Sequence, residues 1–125
     1  MRTIVLLSIL SSTLFSDIRI MTSEKNKLTN VTPEELAKVY LRKTNKIKGV
    51  TVIPIDNKES YKEFYSKVIK KTPKQLRAYW INSIDKKKPP KRLSTAEIKK
   101  VMQKDPKIIS YSTSKLNGKV VLTIK

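Results

Sequence analysis

The chain has 125 residues, and its 28 Lys and Arg against 10 Asp and Glu leave a formal net charge of +18. That length suits one domain. With no histidine, no cysteine and only two glycines, it has neither of the side chains on which zinc-type metal sites chiefly rest, no thiol or imidazole for nucleophilic catalysis, no disulfides and no glycine-rich phosphate loop. A small basic domain that binds rather than catalyses, without cofactor or metal, is what remains. Twenty-three of the bases are lysine and five are arginine. Specific readers of nucleic acid lean on arginine's planar fork, so the lysine excess reads first as a solvated surface.

In chain order, residues 1–16 (MRTIVLLSILSSTLFS) place one Arg before an uncharged run rich in Ile, Leu and Val that ends on a small residue. This is the pattern of a secretory signal peptide, too short for a membrane span of ~20 residues. Cleavage near Ser16 and a periplasmic location are expected, with residues 17–125 as a single domain. Export makes nucleic acid an unexpected partner; small anions and anionic envelope surfaces remain, peripheral contact with the membrane included.

Asp17–Thr22 (DIRIMT) sets Ile18 and Ile20 on one face, as a strand does. Thr32-Pro33-Glu34-Glu35 then combines an N-cap Thr, a Pro at the first helical position and a Glu three residues on, a capping box. Ser60-Tyr61-Lys62-Glu63, Thr72-Pro73-Lys74-Gln75 and Ser94-Thr95-Ala96-Glu97 repeat the pairing, which predicts four helices. Apolar residues at helical spacing agree: Leu36, Val39 and Tyr40; Phe64 and Val68; Leu76, Tyr79, Trp80 and Ile84; Ile98, Val101 and Met102. Val50–Ile55, Ile108–Thr113 and Lys119–Ile124 read as further strands, with Asn117-Gly118 as a hairpin turn between the last two. The expected fold class is therefore α/β, a small mixed sheet of about four strands packed by about four helices.

Two places are candidates for anion binding. At the turn Asp56-Asn57-Lys58-Glu59-Ser60, a strand runs into a helix whose N-terminal N–H groups attract anions. Asn57, Lys58, Ser60 and Tyr61 are the candidate residues. The competing reading is that Ser60 simply caps the helix while Asp56 and Glu59 oppose an anion. The other place is the proline-rich stretch Asp85–Arg92, where Lys86, Lys87, Lys88, Lys91 and Arg92 form a basic docking loop beside Trp80. Trp80 itself, in step with Leu76 and Ile84, reads as core.

These pieces, in this order, resemble the substrate-binding proteins of phosphate ABC transporters, within the type II periplasmic binding proteins. Thr32-Pro33-Glu34-Glu35-Leu36 and Val39–Lys43 stand where that family opens and closes its first helix. Pro54-Ile55 followed by Ser60–Phe64 matches its strand, polar turn and second helix; Tyr79-Trp80 before Pro89-Pro90 matches an aromatic pair before a double proline; Pro106 before Ile109-Ser110-Tyr111 matches the closing strand. The family's glycine after the first helix is Arg42 here, and Glu59-Ser60-Tyr61 replaces the Ser-Gly-Thr motif that holds phosphate, leaving Ser60 as the matching hydroxyl. The resemblance spans roughly residues 17–111. It implies a fold like one lobe of such a protein, binding of phosphate or another small anion, and an ABC permease as partner. The alternative is a ligand-free adaptor that keeps the lobe and docks an envelope partner through its basic surface.

Overall fold

The structure, a computed structural model, describes residues 17–83, 87–114 and 116–125. The expected signal peptide, Ile84 and Lys86 lie outside the described residues. Strand β1 spans Ile18–Thr22 and helix α1 Pro33–Tyr40; β2 (Lys46–Ile47) and β3 (Val50–Thr51) form a small hairpin. Next come β4 (Ile53–Asn57), helix α2 (Tyr61–Phe64) continued by a π-helical turn (Tyr65–Ile69), α3 (Pro73–Ile81), β5 (Lys91–Leu93), α4 (Thr95–Lys104), β6 (Ile108–Ser112) and β7 (Lys119–Ile124).

One five-stranded mixed sheet organises these elements, in the order β5-β4-β6-β1-β7. β4 runs parallel to β5 and β6, while β1 is antiparallel to both β6 and β7. The expected β6–β7 hairpin is therefore not formed. β1 lies between those strands, and its backbone groups take up both of them. Leu116, on the connection from β6 to β7, is buried with Met21, Ile98 and Met102. Gly118 passes so close to β1 that a Cβ there would sit 2.4 Å from the Thr22 carbonyl oxygen. The Asn117-Gly118 signal thus marks a close backbone approach instead of a two-residue turn.

Pleating sorts the side chains between two cores. Ile18 and Ile20 of β1 and Ile109 and Tyr111 of β6 pack with Leu36, Val39 and Tyr40 of α1 and with Phe64, Tyr65, Val68 and Ile69. Met21, Ile55 and Ile108 join Ile98 and Met102 of α4 in the second core. Phe64 stacks on Tyr111 with ring centroids 3.9 Å apart and planes 6° from parallel, and Tyr40 closes on Phe64 at 4.8 Å. A tilted or stacked aromatic cluster of this kind contributes ~0.5–1.5 kcal/mol per pair beyond its buried area.

Three of the four expected capping boxes form, at Thr32, Thr72 and Ser94. The fourth does not: Ser60 makes no side-chain cap bond, and Glu63 reaches Lys67 at 3.7 Å instead. The expected strand Val50–Ile55 is broken at Val52, whose N–H turns to the Asn45 carbonyl, and resumes as β4, two residues longer than expected. Pro54 is accommodated in this inner strand because β5 pairs only from Ile55 onward. Lys91–Leu93, expected as loop, is the edge strand β5: it satisfies the outer side of β4.

Arg42 closes α1 with φ of 61°. Its N–H bonds the Val39 carbonyl and that of Lys43 bonds the Lys38 carbonyl, the paired bonds of a Schellman motif. The position that the resemblance assigns to a glycine thus has the backbone conformation that favours one.

Candidate functional site

The site grows from the C-terminal end of β4. Alternation along the strand sends Asp56 to the α1/α2 face and Asn57 to the α4 face. Asn57 is fully buried and its side chain is committed: the amide donates to the Tyr111 carbonyl at 2.9 Å and to Thr95 Oγ1 at 3.0 Å, while Oδ1 accepts from Glu59 N–H at 2.8 Å. It shapes the turn. Lys58 is exposed, and its backbone N–H donates to the Leu93 carbonyl, which ties the turn to β5. Glu59 is drawn aside: Oε1 accepts from Thr95 N–H at 3.0 Å and Thr95 Oγ1 at 2.6 Å, and these bonds hold its carboxyl below the usual range. Ser60 is 4% exposed, and its Oγ is the only buried side-chain polar atom without a hydrogen-bond partner among the described residues. Leaving such a group unpaired costs ~1–3 kcal/mol, so it merits an explanation.

Asp56 is 2% exposed, which the sequence did not suggest for a residue read as turn. Tyr111 OH donates to Oδ1 at 2.7 Å and Tyr65 OH to Oδ2 at 2.9 Å. Burial raises its pKa to about 6, against the lowering effect of those two bonds and of Arg92. Burial likewise raises both phenols far above their ordinary value, so they remain proton donors to the carboxyl. The π-helical turn explains how Tyr65 gets there: widening the helix after Phe64 places consecutive residues 64 and 65 both against the core.

Above Asp56 opens a cleft of about 330 Å³, lined by Tyr61, Lys62, Tyr65, Lys71, Pro73, Leu76, Arg77, Trp80, Pro89 and Arg92. Arg92 lies over the Tyr61 ring, 3.7 Å from its centroid. The two ion pairs among the described residues, Lys48–Glu35 and Lys67–Glu63, involve none of the cleft's Lys62, Lys71, Arg77 and Arg92. Four cations around one buried carboxyl, with Arg92 close enough to lower the Asp56 pKa, make a positive, partly enclosed field.

Trp80, expected in the core, is half-buried at the wall of this cleft, because α3 buries no residue fully and Ile81 beside it is 79% exposed. The basic loop is divided. Lys87 donates through Nζ to the Arg42 carbonyl at 2.8 Å, Lys88 is exposed, and Lys91 and Arg92 lie exposed on β5. Of the predicted residues, Tyr61 and Arg92 meet in the cleft; Asn57 faces the other side of the sheet. Tyr65, Lys71 and Arg77 were not singled out by sequence, and Asp56 was named only as opposing an anion, since only the fold brings them together. Among the described residues no group of three or more acidic side chains is placed to hold a metal, and no helix is long and apolar enough to cross a membrane.

No family model matches the sequence, and no curated protein matches it. Solved structures do match. A protein from Clostridium perfringens, assigned as a phosphate ABC transporter substrate-binding protein and solved with bound phosphate, superposes with a TM-score of 0.57 at 14% identity, covering 77% of this chain and 40% of its own. PstS from Borrelia burgdorferi gives 0.55 at 18% identity, covering 78% and 41%. An ABC-type phosphate transport receptor from Vibrio cholerae gives 0.53 at 10% identity, covering 85% and 46%. The fold is similar to one lobe of these phosphate-transport proteins. This chain spans less than half the length of each of these three structures. At these identities the likeness concerns the fold; the ligand has to be argued from the cleft.

Proposed function

We propose that the protein is an exported, non-catalytic binding protein whose cleft takes a small oxyanion, phosphate first, in the service of an ABC transporter. The observation that carries this reading is the cleft itself, where Lys62, Lys71, Arg77 and Arg92 surround the one carboxyl of Asp56 and form no ion pair within 4 Å among the described residues. The fold neighbours named for phosphate transport support it. Tyr61 N–H and Lys62 N–H, at the start of α2, have no intrahelical acceptor and suit an anion. Lys58 adds field, and Asn57 and the buried Ser60 belong to the turn that leads into α2. Glu59 is drawn aside to Thr95 and does not line the cleft, while Asp56, which does, accepts hydrogen bonds from Tyr65 and Tyr111. Residues 1–16 are proposed as a leader removed near Ser16.

Isothermal titration of the protein with inorganic phosphate tests the reading. Saturable heat that falls at least about tenfold in affinity in Arg92→Ala is expected, because a charge-assisted hydrogen bond contributes ~1.5–3 kcal/mol. Absence of heat at millimolar phosphate, with a folded sample, would overturn it and leave the lobe as an adaptor.

A further inference from the structure

The cleft has more room than a bare tetrahedral ion fills. Its volume of about 330 Å³ is within the ~300–1,000 Å³ typical of small-molecule pockets and about ten times the ~30 Å³ share of one water in the liquid. Inorganic phosphate, with five heavy atoms, would leave most of that space to solvent. The walls are also sided by chemistry. Pro73, Leu76, Trp80 and Pro89 supply apolar surface, whereas Lys62, Lys71, Arg77 and Arg92 supply positive charge against the single carboxyl of Asp56. Trp80 is only half-buried and its indole meets Tyr79 edge-on, with ring centroids 4.9 Å apart and planes at 81°. Arg92 lies over Tyr61, its guanidinium carbon 3.7 Å from the ring centroid, so the cleft already holds one cation–π contact.

We propose that the ligand is a phosphate monoester bearing a planar apolar group, its dianionic head among Lys62, Lys71, Arg77 and Arg92 and its flat body against Trp80, Leu76 and Pro89. The inference rests on the reading that this cleft holds an anion and adds what the anion carries. Four cations suit a doubly charged head better than a carboxylate. An apolar body displaces water from a wall that an inorganic ion leaves wet, and even one methylene in such a pocket discriminates about 10–200-fold.

Trp80 is the single tryptophan of the chain, so its emission reports from the cleft wall. The experiment titrates the protein with inorganic phosphate, phenyl phosphate and phenol, following Trp80 fluorescence and, for variants, calorimetry. Phenyl phosphate is expected to change the emission and to bind at least about tenfold more tightly than inorganic phosphate, with phenol weaker than both. Trp80→Ala and, independently, Pro89→Ala should weaken phenyl phosphate more than inorganic phosphate and so shrink that advantage, with circular dichroism confirming the fold of each. Phosphate binding without any gain for the ester overturns this inference and leaves the proposed function standing. Binding of neither overturns both. Phenol binding as tightly as the ester overturns the role given to the charged head.

Discussion

Asp56 shows how one residue couples the fold to pH. Its carboxyl titrates at about 6 against an ordinary 3.8, so the folded protein holds that proton more tightly than the unfolded chain does. The sign follows from linkage: stability associated with the protonated form is fully present below about pH 4 and is lost as pH rises through about 6. A difference of roughly two pH units corresponds to ~3 kcal/mol. In urea titrations at pH 4 and pH 7, the wild type should therefore lose up to that amount relative to Asp56→Asn, with all other carboxylates common to both proteins. Parallel pH profiles for the two would refute the assignment. Arg42 makes the opposite case, a residue in a conformation its side chain does not favour. Arg42→Gly keeps the carbonyl that Lys87 binds and relieves the left-handed backbone. Stability should rise by ~1 kcal/mol, read as a higher denaturation midpoint; a lower one would show that the arginine side chain does more than tolerate the turn.

Among the elements, the helix starts divide by what their first residue does. Thr32, Thr72 and Ser94 are reciprocally bonded caps, exposed or half-exposed and local, and a four-residue pattern describes each completely. Ser60 has the same pattern but a different environment. The turn before it is pinned by Asn57 to Tyr111 and Thr95, residues 54 and 38 positions away, and that anchoring turns Ser60 inward. The two kinds of serine or threonine should separate in thermal melts. Thr72→Ala should cost ~1 kcal/mol through loss of its cap, whereas Ser60→Ala should cost nothing or stabilise, because its hydroxyl has no bond to lose. A comparable loss in both would place a cap at Ser60 after all.

On the scale of the whole molecule, the charge of +18 bears on stability as well as on ligand. With 28 bases and 10 carboxylates, and two ion pairs among the described residues, self-repulsion is spread over the surface and screened by salt. The melting temperature should rise as sodium chloride increases from about 10 mM to about 150 mM, over which the Debye length falls from ~30 Å to ~8 Å. A flat or falling curve would mean that local attractions outweigh the net charge. The same surplus of cations, where α2, α3 and β5 draw four of them around one cleft, is the field on which the proposed anion site depends.

What the sequence by itself determined is local or periodic. Three capping boxes, the apolar faces of α1, α2 and α4, the alternation of Ile18 and Ile20 and the α/β class need only residues a few positions apart, and short-range sterics and hydrogen bonding decide them. The order of those elements was enough to suggest one lobe of a phosphate-transport binding protein. The tertiary structure decided what depends on distant partners: β1 between β6 and β7, Lys91–Leu93 as an edge strand, Asp56 buried under two tyrosine hydroxyls, and Trp80 on a cleft wall. Asp56, Tyr65 and Tyr111 lie up to 55 positions apart in the chain. No pattern along the chain could pair them, because their contact exists only once the sheet and the helices packed on it have closed one another off from water.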